Sequence, residues 1–330
     1  MAVHAELIGI TRNPVPNGAV AGTFTARDGL SIRYARWDTT AGRRLGTVCL
    51  FQGRAEFIEK YFETITDLRR RGFAVATMDW RGQGGSSRLL KNPAKGHAET
   101  FAQHDADVVT FMSEIVLPDC PPPYYCLAHS MGGHLALRLT HTRACWWDRI
   151  VLTAPMIAFA GSEARNAAIS VMAETATFFG LGDSYVPGWK NYGPDIPFEG
   201  NVLTSDRLRY ERARDVIQAA PYLSLGAPTL GWVTAASSSI AAIDSVAFME
   251  SVRVPILILA AGNDQIVSTL AIERFASRIK NCTHIVLAGS HHEILQERDQ
   301  LREQFWAAFD AYIPGSSRTL RSPEHAAIAL

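Results

Sequence analysis

The chain has no excess of charge of either sign. Lys+Arg and Asp+Glu each total 32 of its 330 residues. A protein that holds nucleic acid needs clustered positive charge against the phosphates, so nucleic acid is not expected as a partner. Long apolar runs are also missing. None approaches the ~20 residues needed to cross a bilayer, which leaves at most peripheral membrane contact. The opening MAVHAELIGITRNPVPNG has no basic start followed by an apolar stretch, so no signal peptide is read and a cytoplasmic setting is expected. Cysteine is scarce: Cys49, Cys120, Cys126, Cys145 and Cys282 are odd in number and lack metal-ligand spacing. Cys49, Cys126 and Cys282 fall in apolar runs, as small buried hydrophobes of a reducing compartment. His97, His104, His134, His141 and His284 are scattered without the spacing of a zinc site, and no metal or organic cofactor is expected for the chemistry read below. No internal repeat is present, and oligomeric state is not readable.

What is present is a large apolar fraction, 47% against 19% charged, enough for a sizeable core. Two segments, GTFTAR and LSIRYARW, flank Asp28-Gly29 as a β-hairpin. Then come the runs TVCLFQG, FAVATMDW, YYCLAHS, RIVLTAP, PILILAAG and HIVLAG, whose Val, Ile and Leu content suits parallel strands buried on both faces. Helix-period segments separate them. One carries Phe62, Ile65 and Leu68 and stops at Gly72; another carries Phe101, Val108, Met112 and Ile115. A last helix is expected from about Ile294 to Ile313. This alternation predicts an α/β fold with a mostly parallel, doubly wound sheet. It lapses over 156–253, which is too long for a crossover and too apolar for a disordered linker. An inserted cap is expected there, within a core formed by 1–155 and 254–314 and followed by a loose tail, 315–330.

The sharpest local signal is CLAHSMGGHLAL, a strand, then Ser130, then a helical run. A nucleophile on a strand-to-helix turn is strained, and its neighbours two positions away must be small for strand and helix to approach. Ala128 and Gly132 meet that need as A-x-S-x-G, a variant of G-x-S-x-G. A serine hydroxyl attacks only when a base removes its proton and an acid orients the base. On such a sheet the acid and then the histidine follow on turns after later strands. PILILAAGNDQIV ends a strand at Asp264, with Ser268 set to open the next helix, and HIVLAGSHHEIL ends one at His291 and His292.

With these pieces in place, the chain resembles an α/β-hydrolase of the bacterial lysophospholipase and monoacylglycerol lipase group, from about Gly22 to Ile313. The matching segments are LFQGRAEFIEKY, resembling H-G-x-G-E; DWRGQGGSSR, resembling D-x-R-G-x-G-x-S; AHSMGG; AGNDQIV; and GSHHEILQE, resembling G-x-x-H-E. The resemblance implies a Ser130, Asp264, His292 triad, since its catalytic histidine directly precedes Glu. A location of His292 near a helix N-terminus would also disfavour imidazolium. The transition-state oxyanion needs donors. They are expected from the backbone N–H of Met131 and, by resemblance, of Arg54. Gln52 stands where the group has His. The reading is a serine hydrolase of lipid esters, lysophospholipid or mono- or diacylglycerol, with a small-molecule or lipid substrate. A short-chain carboxylesterase or an acyltransferase with the same triad stays open, and a non-enzymatic receptor is disfavoured by the intact set.

Overall fold

A computed structural model describes residues 4–141, 145–188 and 196–317; Trp189, Tyr192 and residues 318–330 of the tail lie outside them. The hairpin forms as expected. β1 (Val20–Thr25) and β2 (Ser31–Trp37) pair antiparallel, with Phe24 opposite Ile32. They sit at one margin of an eight-stranded sheet ordered β1-β2-β4-β3-β5-β6-β7-β8. The remaining strands are β3 (Gly46–Phe51), β4 (Phe73–Met78), β5 (Tyr124–His129), β6 (Arg149–Thr153), β7 (Ile256–Ala261) and β8 (Cys282–Leu287). From β4 to β8 each pair is parallel, as continuous apolar runs covered on both faces require. Every residue of β3, β4 and β7 is buried.

β8 departs from that expectation. It is the edge strand, and Ile285 and Val286 are each 38% exposed. Its apolar sequence reads like a central strand because periodicity does not report which strand lies last in a sheet. Cys282, on the same strand, is only partly buried.

The sheet reverses its winding between β3 and β5, which are neighbours in space though β4 lies between them in sequence. At such a switch point the loops after the strands diverge and leave a crevice. Here those loops are Gln52–Glu56 after β3 and Ser130 after β5.

Helices Phe62–Arg70 and Phe101–Phe111 bury Ile65, Leu68, Val108 and Phe111 against the sheet. Residues 156–253 contain helices Glu163–Ala176, Arg207–Ala219, Leu230–Ile243 and Val246–Ser251, all between β6 and β7. Ser162, Asp206, Thr229 and Ser245 cap them through side-chain oxygens that accept from backbone N–H groups. The last helix begins later than periodicity suggests, at Asp299, after a single 3-10 turn at Ile294–Gln296. His292 therefore does not stand at an α-helix N-terminus. The apolar spacing runs through both pieces because both pack on the same core.

One buried histidine makes a stability prediction. His104 packs against the rings of Trp80 and Phe101, and its Nδ1 has no partner among the described residues. Burial, helped by Arg81, lowers its pKa from 6.5 to about 3. Below pH ~6.5 the unfolded chain gains a proton that the folded chain refuses until about pH 3, so stability falls as the pH drops through that window. His104→Phe keeps the ring and removes the nitrogen. Between pH 7.5 and pH 5 the wild type should lose about 2 kcal/mol more stability than the variant, measured by urea unfolding at both values. Equal losses would mean that His104 is not held neutral.

Candidate active site

Ser130 is the first residue of helix Ser130–Leu139 and follows β5 directly. Its φ is +51°, a left-handed conformation that a non-glycine residue adopts only under constraint. The small neighbours supply the constraint. A Cβ on Gly132 would lie 2.5 Å from the Gln52 carbonyl oxygen and 2.8 Å from that of Phe51, backbone atoms with nowhere to go. Ala128 is fully buried, in register with Phe51 of β3 and Leu152 of β6. One methyl fits at 128; none fits at 132.

Asp264 lies three residues past β7. Its Oδ1 accepts from the backbone N–H groups of Ile266 (2.8 Å) and Val267 (3.0 Å), and its Oδ2 accepts from His292 Nδ1 at 2.7 Å. Burial alone would raise the Asp264 pKa, but the hydrogen bond and charge of His292 and the two amides hold it below the usual carboxylate value. With Nδ1 donating to this carboxylate, Nε2 is the acceptor for the Ser130 hydroxyl, 2.9 Å away. The Asp264 side chain is fully buried and that of His292 nearly so. The neighbouring His291 takes no part: its N–H donates to Glu297 at 2.8 Å, and its Nδ1 is buried without a partner among the described residues. His129 lies 4.8 Å from the His292 ring and contacts Thr153 through Nδ1. Burial lowers its pKa to about 4, so it is a neutral neighbour.

The loop after β3 closes over this serine. A Cβ on Gly53 would stand 3.1 Å from Ser130 Cβ, 2.8 Å from Glu56 Oε2 and 3.2 Å from His129 Cδ2. Among the described residues, the N–H groups of Arg54 and Met131 donate to no protein acceptor. Gln52 turns away from the crevice; its Nε2 donates to Asp79 at 3.0 Å. Gly53→Ala would push this loop off Ser130 without a backbone penalty. We expect kcat to fall about 10–100-fold with the fold retained. Esterase kinetics with a melting curve check this, and unchanged kcat would show that the loop's approach to Ser130 is not critical.

Residues 42–299 match the family described as serine aminopeptidase, S33 (Hydrolase_4), well over half the chain. The chain belongs to this family. It is 32% identical over 286 residues to lysophospholipase L2 of Escherichia coli (strain K12), covering 84% of this chain and 83% of that protein. Among solved structures it is similar to a soluble variant of monoglyceride lipase from Saccharomyces cerevisiae, with TM-score 0.69 and 17% identity over 92% of this chain and 98% of that one. It is also similar to a monoacylglycerol lipase from Paleococcus ferrophilus, with TM-score 0.65 and 19% identity over 86% and 99% of the two chains. Those two likenesses show the α/β-hydrolase fold. The segments quoted from the sequence and these matches agree on the lysophospholipase and monoacylglycerol lipase group.

In this S33-family chain Ser130 and His292 open onto a cavity of about 500 Å³. Met156, Phe159, Ile169, Ile217, Leu225 and Trp232 give it an apolar wall. Of the aromatic residues in 156–253, Phe159, Tyr210 and Trp232 line this cavity, whereas Phe178 and Phe179 are 84% and 73% exposed. Motif reading missed a charged group beside the site. Lys60 bridges Glu56 (2.8 Å) and Glu293 (2.6 Å), and Glu56 also accepts from the Gly53 N–H and the Tyr61 hydroxyl. Burial would raise the Glu56 pKa, but Lys60 holds it well below the usual range. The spacing of Glu56 and Lys60 along one helical turn hinted at the first pair. Nothing in the sequence hinted at Glu293 joining it. Among the described residues no helix is long and apolar enough to cross a membrane, and no three His, Cys, Asp or Glu side chains gather as metal ligands.

Proposed function

We propose that this chain is a serine hydrolase of lipid carboxylic esters, lysophospholipid or mono- or diacylglycerol, working through an acyl-enzyme. The observation that carries the reading is the unbroken chain Ser130 Oγ, His292, Asp264, at 2.9 and 2.7 Å, on the floor of an apolar cavity. Ser130 Oγ attacks the ester carbonyl while His292 Nε2 takes its proton. Asp264 holds the imidazole in the tautomer that leaves Nε2 free and stabilises the imidazolium. The Arg54 and Met131 amides receive the oxyanion. Collapse expels the alcohol with a proton from His292, and water then cleaves the acyl-enzyme by the same steps in reverse order. Residues 156–253 serve as a cap that supplies the acyl-chain wall, within a core of 1–155 and 254–314. The five free thiols fit a reducing, cytoplasmic setting.

The family description names peptide chemistry, and the cavity argues against it here. An aminopeptidase needs a free carboxylate for its substrate's ammonium group. Among the described residues the carboxylates lining this cavity are Glu56 and Glu293, and both are paired with Lys60.

A fluorophosphonate probe should label wild-type protein but not Ser130→Ala, and lysophospholipid or monoacylglycerol should release fatty acid at a rate indifferent to EDTA. Absence of labelling, or loss of rate in EDTA restored by zinc, would overturn the serine mechanism.

A further inference from the structure

Glu56, Lys60 and Glu293 line the cavity together, and no step of the proposed ester chemistry uses them. They come from two distant parts of the chain. Glu56 and Lys60 belong to the segment that follows β3, whereas Glu293 directly follows His292 on the loop after β8. Lys60 Nζ lies 2.8 Å from Glu56 Oε1 and donates to Glu293 Oε1 at 2.6 Å, a bond between residues 233 positions apart. The Lys60 carbonyl accepts from Gln296 Nε2 at 3.2 Å, a second tie between the same segments. At the other end, Glu56 Oε2 accepts from the Gly53 N–H and from the Tyr61 hydroxyl. A continuous line of polar contacts therefore runs from Gly53 through Glu56 and Lys60 to Glu293, the residue bonded to His292.

Two carboxylates share one ammonium, and all three side chains are largely buried. Burial would lower the Lys60 pKa, but Glu293 and Glu56 raise it above the ordinary amine value, so the bridge is charged. Such a cluster is a poor source of stability, because apolar side chains of similar volume fill the space without the desolvation cost. What it supplies is a fixed distance. The loop it holds shows the need: Ala55 has φ +61°, a left-handed conformation that persists in a residue with a side chain only when its surroundings impose it. Gln83 supplies part of the constraint, accepting from the Ala55 N–H at 3.3 Å and donating to the Gly53 carbonyl at 2.9 Å. Glu56 adds to it through the Gly53 N–H. Both loops meet at Ser130, the first with Gly53 against it and the second with His292 Nε2 2.9 Å from its hydroxyl. Attack on a carbonyl needs both at once, the base at Oγ and the donors at the carbonyl oxygen. We propose that Lys60 is a positioning residue, which locks the oxyanion loop and the His292 loop at the separation that the tetrahedral intermediate requires. This rests on the ester-hydrolase reading of the same site, and a mimic of the intermediate tests it apart from turnover.

Dodecylboronic acid bonds at boron to Ser130 Oγ as the hydroxyl proton passes to His292, and becomes a tetrahedral anion. The ether 1-O-dodecylglycerol fills the same cavity without reacting. Below their aggregation thresholds, Lys60→Met should weaken binding of the boronate by on the order of 10–100-fold and leave that of the ether within about twofold. Lys60→Met strands two buried carboxylates without a counter-ion. The variant Glu56→Gln/Lys60→Met/Glu293→Gln carries no charge at the cluster and still lacks the bridge, so it should show the same split, with a melting curve to confirm folding. Unchanged boronate affinity in this charge-free variant, or equal loss for both ligands, would overturn the proposal. The equal loss is what a purely structural role predicts. Failure of the charge-free variant to fold would overturn it as well, since the cluster would then be a stability element. If wild-type protein holds the boronate through Ser130 and the split appears, but lysophospholipid and monoacylglycerol release no fatty acid, the positioning role stands and the hydrolase reading falls.

Discussion

His292→Ala should abolish all but a residue of turnover, while His291→Ala keeps most of it. The two residues are adjacent in sequence and on the same loop, so general disturbance of that loop would affect both. Only His292 contacts Ser130 and Asp264; His291 is directed to Glu297 through its backbone. Removal of a member of the proposed triad should leave only the contribution of substrate binding and the proposed oxyanion donors, roughly 10³–10⁴ over water. Asp264→Asn should fall in the same way, by about 10⁴ in kcat, because an amide in that position favours the wrong imidazole tautomer. The check is kcat on a soluble ester for each purified variant, with melting curves to confirm folding. An inactive His291→Ala beside an active His292→Ala would reverse the assignment.

kcat/KM should climb steeply with acyl-chain length. Each methylene moved from water into the apolar wall of Met156, Phe159, Ile169, Ile217, Leu225 and Trp232 stabilises the complex by about 0.8 kcal/mol. Six more carbons therefore give a ceiling of ~5 kcal/mol, and ordering a flexible chain reduces it, so a rise on the order of 10²-fold from butyryl to decanoyl esters is expected. Ile169→Trp, which fills part of the cavity, should flatten the rise. Measurements must stay below the aggregation threshold of the longer esters. A strong preference of the wild type for acetyl or butyryl esters would favour the short-chain carboxylesterase.

The sequence by itself carried the strand–helix alternation, the hairpin, the Ser130 turn and the order Ser130, Asp264, His292. These are legible because they depend on local features: a buried parallel strand must be continuously apolar, and a strained serine needs small residues at fixed offsets. Adjacent sequence motifs also separated His292 from His291, though the reason offered from helix polarity fails, since the helix begins only at Asp299. What decides between these two histidines is a hydrogen bond between residues 162 positions apart.

Tertiary structure alone made β8 the exposed edge, turned Gln52 towards Asp79, and sent Phe178 and Phe179 to the surface while Phe159 and Trp232 line the cavity. It also decided which charges are neutralised. Thirty-two cations and thirty-two anions balance in the composition, but pairing depends on which side chains meet, and the fold brings Glu56 and Glu293 to Lys60 while, among the described residues, Arg54 meets no carboxylate. Coulomb energy falls with distance in space and is blind to distance along the chain.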